Sequence, residues 1–184
     1  VKQISLEDIN ADTYLDIISV NTASNSIDVY INPSTTNATW IKKPLVTSTQ
    51  GLLSTLTIDV DNDSDIDIIY TDTNSLAITM MSNLDGLGNS WQSSSVSSTA
   101  GAIKSMCSGD LNNDGNIDIV AADDIRGRIF HMQNRLNIDN SWQSFSIYEN
   151  PKSPSSLSCR DIDNDGDIDV ASISQSINTI LWHE

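Results

Sequence analysis

Asp161-Ile-Asp-Asn-Asp-Gly-Asp-Ile-Asp169 carries oxygen-bearing side chains at its first, third, fifth and ninth positions. The same pattern stands at Asp110–Asp118 (DLNNDGNID), at Asp59–Asp67 (DVDNDSDID) and at Asp8–Asp16 (DINADTYLD). Each copy begins 51 residues after the one before. Alternate carboxylates in a tight turn converge on one centre, and without a cation they repel one another at short range. A hard divalent cation collects six to eight oxygens at about 2.3–2.6 Å, and calcium suits a flexible set of this kind. The candidate side-chain ligands are Asp8, Asn10, Asp12 and Asp16 in the first loop, and Asp59, Asp61, Asp63 and Asp67 in the second. In the third they are Asp110, Asn112, Asp114 and Asp118, and in the fourth Asp161, Asp163, Asp165 and Asp169.

The period extends beyond the loops. Trp40, Trp91 and Trp142 keep the 51-residue interval, as do Asn32, Asn83 and Asn134, and Ile27, Ile78, Ile129 and Ile180. Self-similarity at a fixed interval of this size signals a repeat architecture. Each acidic loop passes into a β-branched run such as Asp67-Ile-Ile-Tyr70, a sequence with strand propensity. A second strand follows near Ile27, Ile78, Ile129 and Ile180, and a third opens with Trp40, Trp91 or Trp142. The strand before each loop (Lys2–Leu6, Leu53–Ile58, Ala102–Cys107, Ser155–Cys159) completes the unit. No segment sustains a 3.6-residue apolar period, so no helix is expected. The chain is therefore expected to be all-β: a propeller or propeller-like array of four antiparallel, four-stranded blades. Their expected limits are 1–50, 51–101, 102–152 and 153–184. Four full periods would fill 204 residues against the 184 present, so the last blade is expected to lack its outer strand. A single thin sheet cannot bury both faces, and such units share their cores with neighbours.

The run D-x-D-x-D-G-x-x-D, a strand, an Asn with a Gly-rich turn and an aromatic resembles the FG-GAP/VCBS repeat family. Thr179-Ile-Leu-Trp-His-Glu184 resembles a strand common in its bacterial members. The resemblance implies calcium-loaded blades similar to those of the integrin α-subunit propeller, with about four Ca²⁺, one per repeat. It also implies backbone carbonyl ligands from Tyr14, Asp65, Asn116 and Asp167. The family's turn Gly is present as Gly115 and Gly166 but replaced by Thr13 and Ser64, which are expected to resist a positive φ. Loops two and four hold five Asp each and loops one and three only three, so the fourth is expected to bind most tightly and the first weakly.

The chain has 25 acidic and 9 basic residues, a net charge of −16, which argues against nucleic acid as a partner. Of the acidic residues, 16 lie in the four loops, so four divalent ions would offset about half the net charge. No apolar run approaches the roughly 20 residues of a membrane span. The first residue is Val1, consistent with a mature, processed or partial chain, and an extracellular location suits calcium loops of modest affinity.

Cys107 and Cys159 have two open readings: buried small hydrophobes, or a disulfide across neighbouring repeats, since their one-residue offset turns them to opposite faces. An EF-hand is excluded, because position 12 is Ser19, Tyr70, Ala121 or Ser172 instead of Glu and the flanks are strands. Solvated Asx-turns without metal remain the bland alternative for the loops. His131 and His183 stand in no metal-ligand spacing, and no nucleophile or phosphate-binding motif occurs, so no catalysis is expected. The aligned Trp residues read as blade packing or as a glycan-stacking surface. Asn37-Ala-Thr39 is a glycosylation sequon, and Asn62-Asp-Ser64 is a second one inside a loop.

These observations point to a non-catalytic extracellular repeat protein, stabilised by calcium, with a structural or adhesive role. Self-association into an oligomer or surface filament and a glycan or protein ligand are the expected partnerships. The alternatives are a propeller fragment of a secreted polysaccharide-active enzyme, or a lectin-like binding module. The enzyme would need a basic or aromatic cluster at one end, which the scattered Lys and Arg residues do not supply.

Overall fold

The computed structural model describes residues 3–47, 51–98, 101–149 and 153–184. Lys2 of the expected first strand and the expected unit limits around 48–50 and 150–152 lie outside the described residues.

Four antiparallel sheets follow one another along the chain, each with its strands in sequence order. Sheet one comprises β1 (Gln3–Glu7), β2 (Asp16–Asn21), β3 (Ser26–Ile31) and β4 (Ile41–Val46). Sheet two comprises β5 (Leu52–Ile58), β6 (Asp67–Asp72), β7 (Ile78–Asn83) and β8 (Trp91–Ser97). Sheet three comprises β9 (Ile103–Gly109), β10 (Asp118–Asp123), β11 (Arg128–Arg135) and β12 (Ser141–Glu149). Among the described residues sheet four comprises β13 (Pro154–Arg160), β14 (Asp169–Ser174) and β15 (Thr179–His183), three strands where the other sheets have four. Contrary to the all-strand expectation, a helical turn, α1 (Leu136–Asp139), occupies the turn after Asn134. It is closed by Asn140 in the left-handed region, a conformation Asn tolerates well. Trp40 lies just before β4, and Trp142 is the second residue of β12.

Each acidic loop joins the first two strands of its sheet. The next connection is an Asx-turn, with Asn21 accepting from the Ala23 N–H at 3.1 Å and Asp72 from the Asn74 and Ser75 N–H groups at 2.7 Å. These residues, like Asp123 one period later, hold orphan turn amides that would otherwise need water.

Side chains alternate across each strand, and this decides which neighbour a residue meets. In sheet two, Ile68 and Tyr70 join Ile18, Val20 and Val29 in the apolar cluster shared with sheet one. Ile69 and Met80 join Ile119, Ala121, Phe130 and Met132 in the cluster shared with sheet three. Val120 and Ile129 meet Val170 of sheet four. One residue of offset thus turns a side chain from one interface to the next.

Cys107 and Cys159 follow the same rule. Cys107 on β9 looks toward sheet four, Cys159 on β13 looks back, and the two form a disulfide with Cα atoms 5.6 Å apart. The bond settles the open reading in favour of an inter-repeat crosslink. Closing a segment whose ends are 52 residues apart restricts the unfolded chain by about 4 kcal/mol. The third apolar cluster is the smallest of the three, and the crosslink reinforces it.

Candidate metal centres

The four loops share one set of hydrogen bonds. The position-one carboxylate accepts from the position-six N–H in every loop: Asp8 from Thr13 at 2.8 Å, Asp59 from Ser64 at 3.0 Å, Asp110 from Gly115 at 2.9 Å and Asp161 from Gly166 at 3.1 Å. Asp8 and Asp110 also accept from position five at 3.0 and 3.1 Å, and Asp161 from Asn164 at position four at 2.6 Å. The position-five carboxylate accepts from position seven at 2.9 Å in every loop: Asp12 from Tyr14, Asp63 from Asp65, Asp114 from Asn116, Asp165 from Asp167. These bonds close each loop into a tight turn.

Position six adopts positive φ in all four loops: 74° at Thr13, 75° at Ser64, 86° at Gly115 and 101° at Gly166. Thr13 and Ser64, where the family has Gly, therefore take up the conformation they were expected to resist. A Cβ added at Gly115 or Gly166 would meet nothing within 4 Å, so a side chain there finds open space. The N–H bonds of Thr13 to Asp8 (2.8 Å) and of Ser64 to Asp59 (3.0 Å) offset the local backbone strain.

The position-nine aspartates are the buried anchors. Asp16, Asp67, Asp118 and Asp169 are at most 2% exposed. Asp16, Asp67 and Asp169 accept from position two, that is Ile9, Val60 and Ile162, at 3.0, 3.1 and 2.9 Å. Asp16, Asp67 and Asp118 also hold the N–H of Asn32, Asn83 and Asn134 at 2.7, 2.9 and 2.8 Å. The Asn series thereby finds its role. The Asn83 side-chain amide donates to the Ile9 carbonyl (3.1 Å) and that of Asn134 to the Val60 carbonyl (2.7 Å), tying each loop to the sheet that follows it. In the third loop Asp118 is also paired with His131 Nε2 at 2.9 Å, which gives that histidine a structural partner.

Three carboxylates converge within 4.8 Å in the second loop (Asp59, Asp61, Asp67) and in the fourth (Asp161, Asp163, Asp169). Asp163 and Asp165 also converge with Glu184, a residue outside the nine-residue motif that only the return of β15 brings near. Among the described residues, loops one and three form no such group. Their position-three residues are Asn10 and Asn112, whose side-chain oxygens accept from the position-five N–H at 3.3 and 2.9 Å.

The second loop fits a divalent cation on its own evidence. Asp59 Oδ1 and Asp61 Oδ1 are shut off from solvent with no hydrogen-bond partner, a costly state for a carboxylate that a cation would relieve. Burial pushes the Asp67 carboxyl up to about 7 against the pull of the Asn83 and Val60 N–H groups, with Asp61 and Asp63 adding repulsion. Burial likewise raises Asp61, and Asp63 beside it adds to the shift.

Neighbouring loops touch. Asn62 donates to the Gly115 carbonyl (3.3 Å) and Asn116 Oδ1 (3.2 Å), and Asn113 donates to Asp167 Oδ1 (2.6 Å). Loop one has Ala11 at the equivalent position and cannot make this bond. The sequence holds the signal, an Asn at position four in three loops, but gives it meaning only once the loops are side by side.

The FG-GAP-like repeat family model matches residues 8–70, 59–121 and 110–172, three overlapping double units that together span most of the chain. Among solved structures, the V. cholerae biofilm matrix protein Bap1 is similar at 18% identity and a TM-score of 0.44, over 97% of this chain and 36% of that one. The chain thus spans about a third of the length of that protein. No curated protein matches the sequence.

Proposed function

We propose that this chain, which belongs to the FG-GAP-like repeat family, is an extracellular repeat protein held rigid by calcium, with a structural or adhesive and non-catalytic role. The four sheets are, on this reading, consecutive blades of a propeller, and about four Ca²⁺ sit in the loops between the first two strands of each. The partnerless, solvent-excluded oxygens of Asp59 and Asp61 carry the proposal, because a fold does not leave two such atoms side by side without a counter-charge. Of the predicted ligands, Asp59, Asp61, Asp67, Asp161, Asp163 and Asp169 have the strongest claim, since they converge as triples. His131 is committed to Asp118 and His183 packs on Tyr148, arrangements that favour structural roles over general-base chemistry. Among the described residues no helix is long and apolar enough to cross a membrane.

Calcium dependence of stability tests the proposal. A ligand that binds only the folded state stabilises by about 2.7 kcal/mol per site at a hundred times its Kd. The melting temperature should fall well below its calcium-loaded value in excess EDTA and recover on adding calcium. An unmoved melting curve together with metal-free protein by elemental analysis would refute it.

Self-association is part of the same proposal. The outer face of sheet one exposes Ile4 (61%) and Leu6 (55%), and that of sheet four exposes Ile180 (75%) and Trp182 (52%). Ile180 is the fourth member of a series whose other members, Ile27, Ile78 and Ile129, are fully buried at interfaces between sheets. The two outer faces therefore correspond to the two halves of an internal interface, a head-to-tail relation that propagates when it does not close.

A further inference from the structure

Between the outer strands of sheets two and three lies a groove of about 410 Å³, bordered by Asp61, Gln92, Ser94, Asn137, Asn140 and Trp142. Comparison with the preceding repeat explains why it is open. Between sheets one and two, Lys43 of β4 crosses the gap. Its Nζ donates to the Leu87 and Gly88 carbonyls at 3.2 and 3.3 Å and to Asn89 Oδ1 at 2.6 Å. One 51-residue period later, Lys43 is replaced by Ser94, and Leu87-Gly88-Asn89 by Ile138-Asp139-Asn140. Serine is too short to span the gap, and α1 has replaced the Gly-rich turn that Lys43 grips. The recess between sheets one and two is smaller, about 330 Å³, and has Lys42 and Lys43 in its wall.

The lining selects a chemical class. Gln92, Ser94, Asn137 and Asn140 offer uncharged donors and acceptors, and Met80, Leu84 and Leu136 add apolar patches. No Lys or Arg lines the groove and Asp61 is its one charge, so an anion is disfavoured. Trp142 Nε1, on the groove wall, is shut off from solvent and has no hydrogen-bond partner. That N–H lies beneath the surface, where no solute in the groove reaches it, so Trp142 contributes the accessible part of its apolar ring to the wall. Asp61 Oδ1 is also unpartnered, but it belongs first to the second loop. Hydroxyl groups that both donate and accept, carried on a ring with an apolar face, match this set. We propose that the groove binds a neutral saccharide of one or two rings. The proposal rests on the adhesive reading above for its biological setting, but it requires no calcium contact with the sugar.

The test is titration of the whole chain, in calcium, with maltose, cellobiose, lactose and diacetylchitobiose, followed through the indole N–H resonances. There are four Trp residues, and Trp142→Phe assigns the resonance of interest. At least one neutral disaccharide should shift the Trp142 signal saturably. Ser94→Lys should recreate the Lys43 plug and raise the Kd about tenfold or more. Ser94→Ala, which leaves the groove open, should change it no more than about threefold. A glucuronic-acid disaccharide should bind more weakly than its neutral counterpart. The proposal falls if no sugar shifts the signal at about 50 mM (roughly 1.8 kcal/mol of binding energy). It also falls if Ser94→Lys binds as tightly as the parent, or if the acidic sugar binds equally well. Absent sugar binding with calcium-dependent melting intact overturns this proposal alone; sugar binding in a protein indifferent to EDTA overturns only the calcium reading.

Discussion

Replacing Asn134 with Ala should cost far more than the same change at Asn32, although the two residues occupy the same repeat position. The Asn134 side chain is 1% exposed and makes three hydrogen bonds. It donates to the Val60 carbonyl at 2.7 Å and the Ile117 carbonyl at 3.1 Å, and it accepts from the Leu136 N–H at 3.0 Å. The first of these crosses from sheet three to the loop of sheet two. Truncation removes all three bonds and strands two carbonyls and an amide where water has little access. At about 1 kcal/mol per net hydrogen bond, the loss is about 3 kcal/mol. Asn32 bonds only within its own repeat, to the Leu15 carbonyl (3.0 Å) and the Ser34 N–H (3.0 Å), and both bonds are solvent-exposed. Water replaces them, so Asn32→Ala should cost about 0.5–1 kcal/mol. Urea unfolding at fixed calcium, with the slope checked for constancy between variants, measures both. In a chain of this size 3 kcal/mol corresponds to a fall of about 6–12 °C in melting temperature. Equal losses would mean that the contact between sheets contributes nothing, and would refute the view that position in the stack decides the energetics.

Loop occupancy and assembly yield two more expectations. In calcium, Asp165→Ala should destabilise by about 2–3 kcal/mol, because it removes a charged ligand from one of the two loops with five aspartates, whereas Asn10→Ala should cost under about 1 kcal/mol; calorimetric unfolding distinguishes them, and equal losses would show that loop charge does not rank the sites. Head-to-tail assembly should make the sedimentation coefficient rise with concentration and should be blocked by Ile180→Asp or Leu6→Asp alone, while a mixture of the two variants, each with one intact face, should form one-to-one dimers; a chain that stays monomeric at high concentration sinks the idea.

The 51-residue period made the strand content and the acidic loops legible. It could do so because the bonds that close a loop on itself join residues at most seven apart, as in Asp8 with Asp12 and Thr13 or Asp16 with Ile9. Chemistry this local is written in consecutive residues. Thr13 and Ser64 adopt the positive φ in spite of their propensity, each with its N–H held by a carboxylate of the same loop. The helical turn at Leu136–Asp139 was not legible, since four residues are too few to show a period.

Tertiary structure alone decided what each repeated residue does. Ile129 and Ile180 hold the same repeat position but are 0% and 75% exposed, because among the described residues one has a sheet against it and the other does not. Trp91 and Trp142 pack against apolar clusters while Trp40 is 39% exposed, for the same reason. The disulfide, the Asn amides that bridge sheets, Glu184 beside Asp163 and Asp165, and the groove left open at Ser94 all join residues from different strands or different repeats. Periodicity makes such positions equivalent along the chain. Burial depends on the neighbour that folding supplies, and the stack gives each copy a different one.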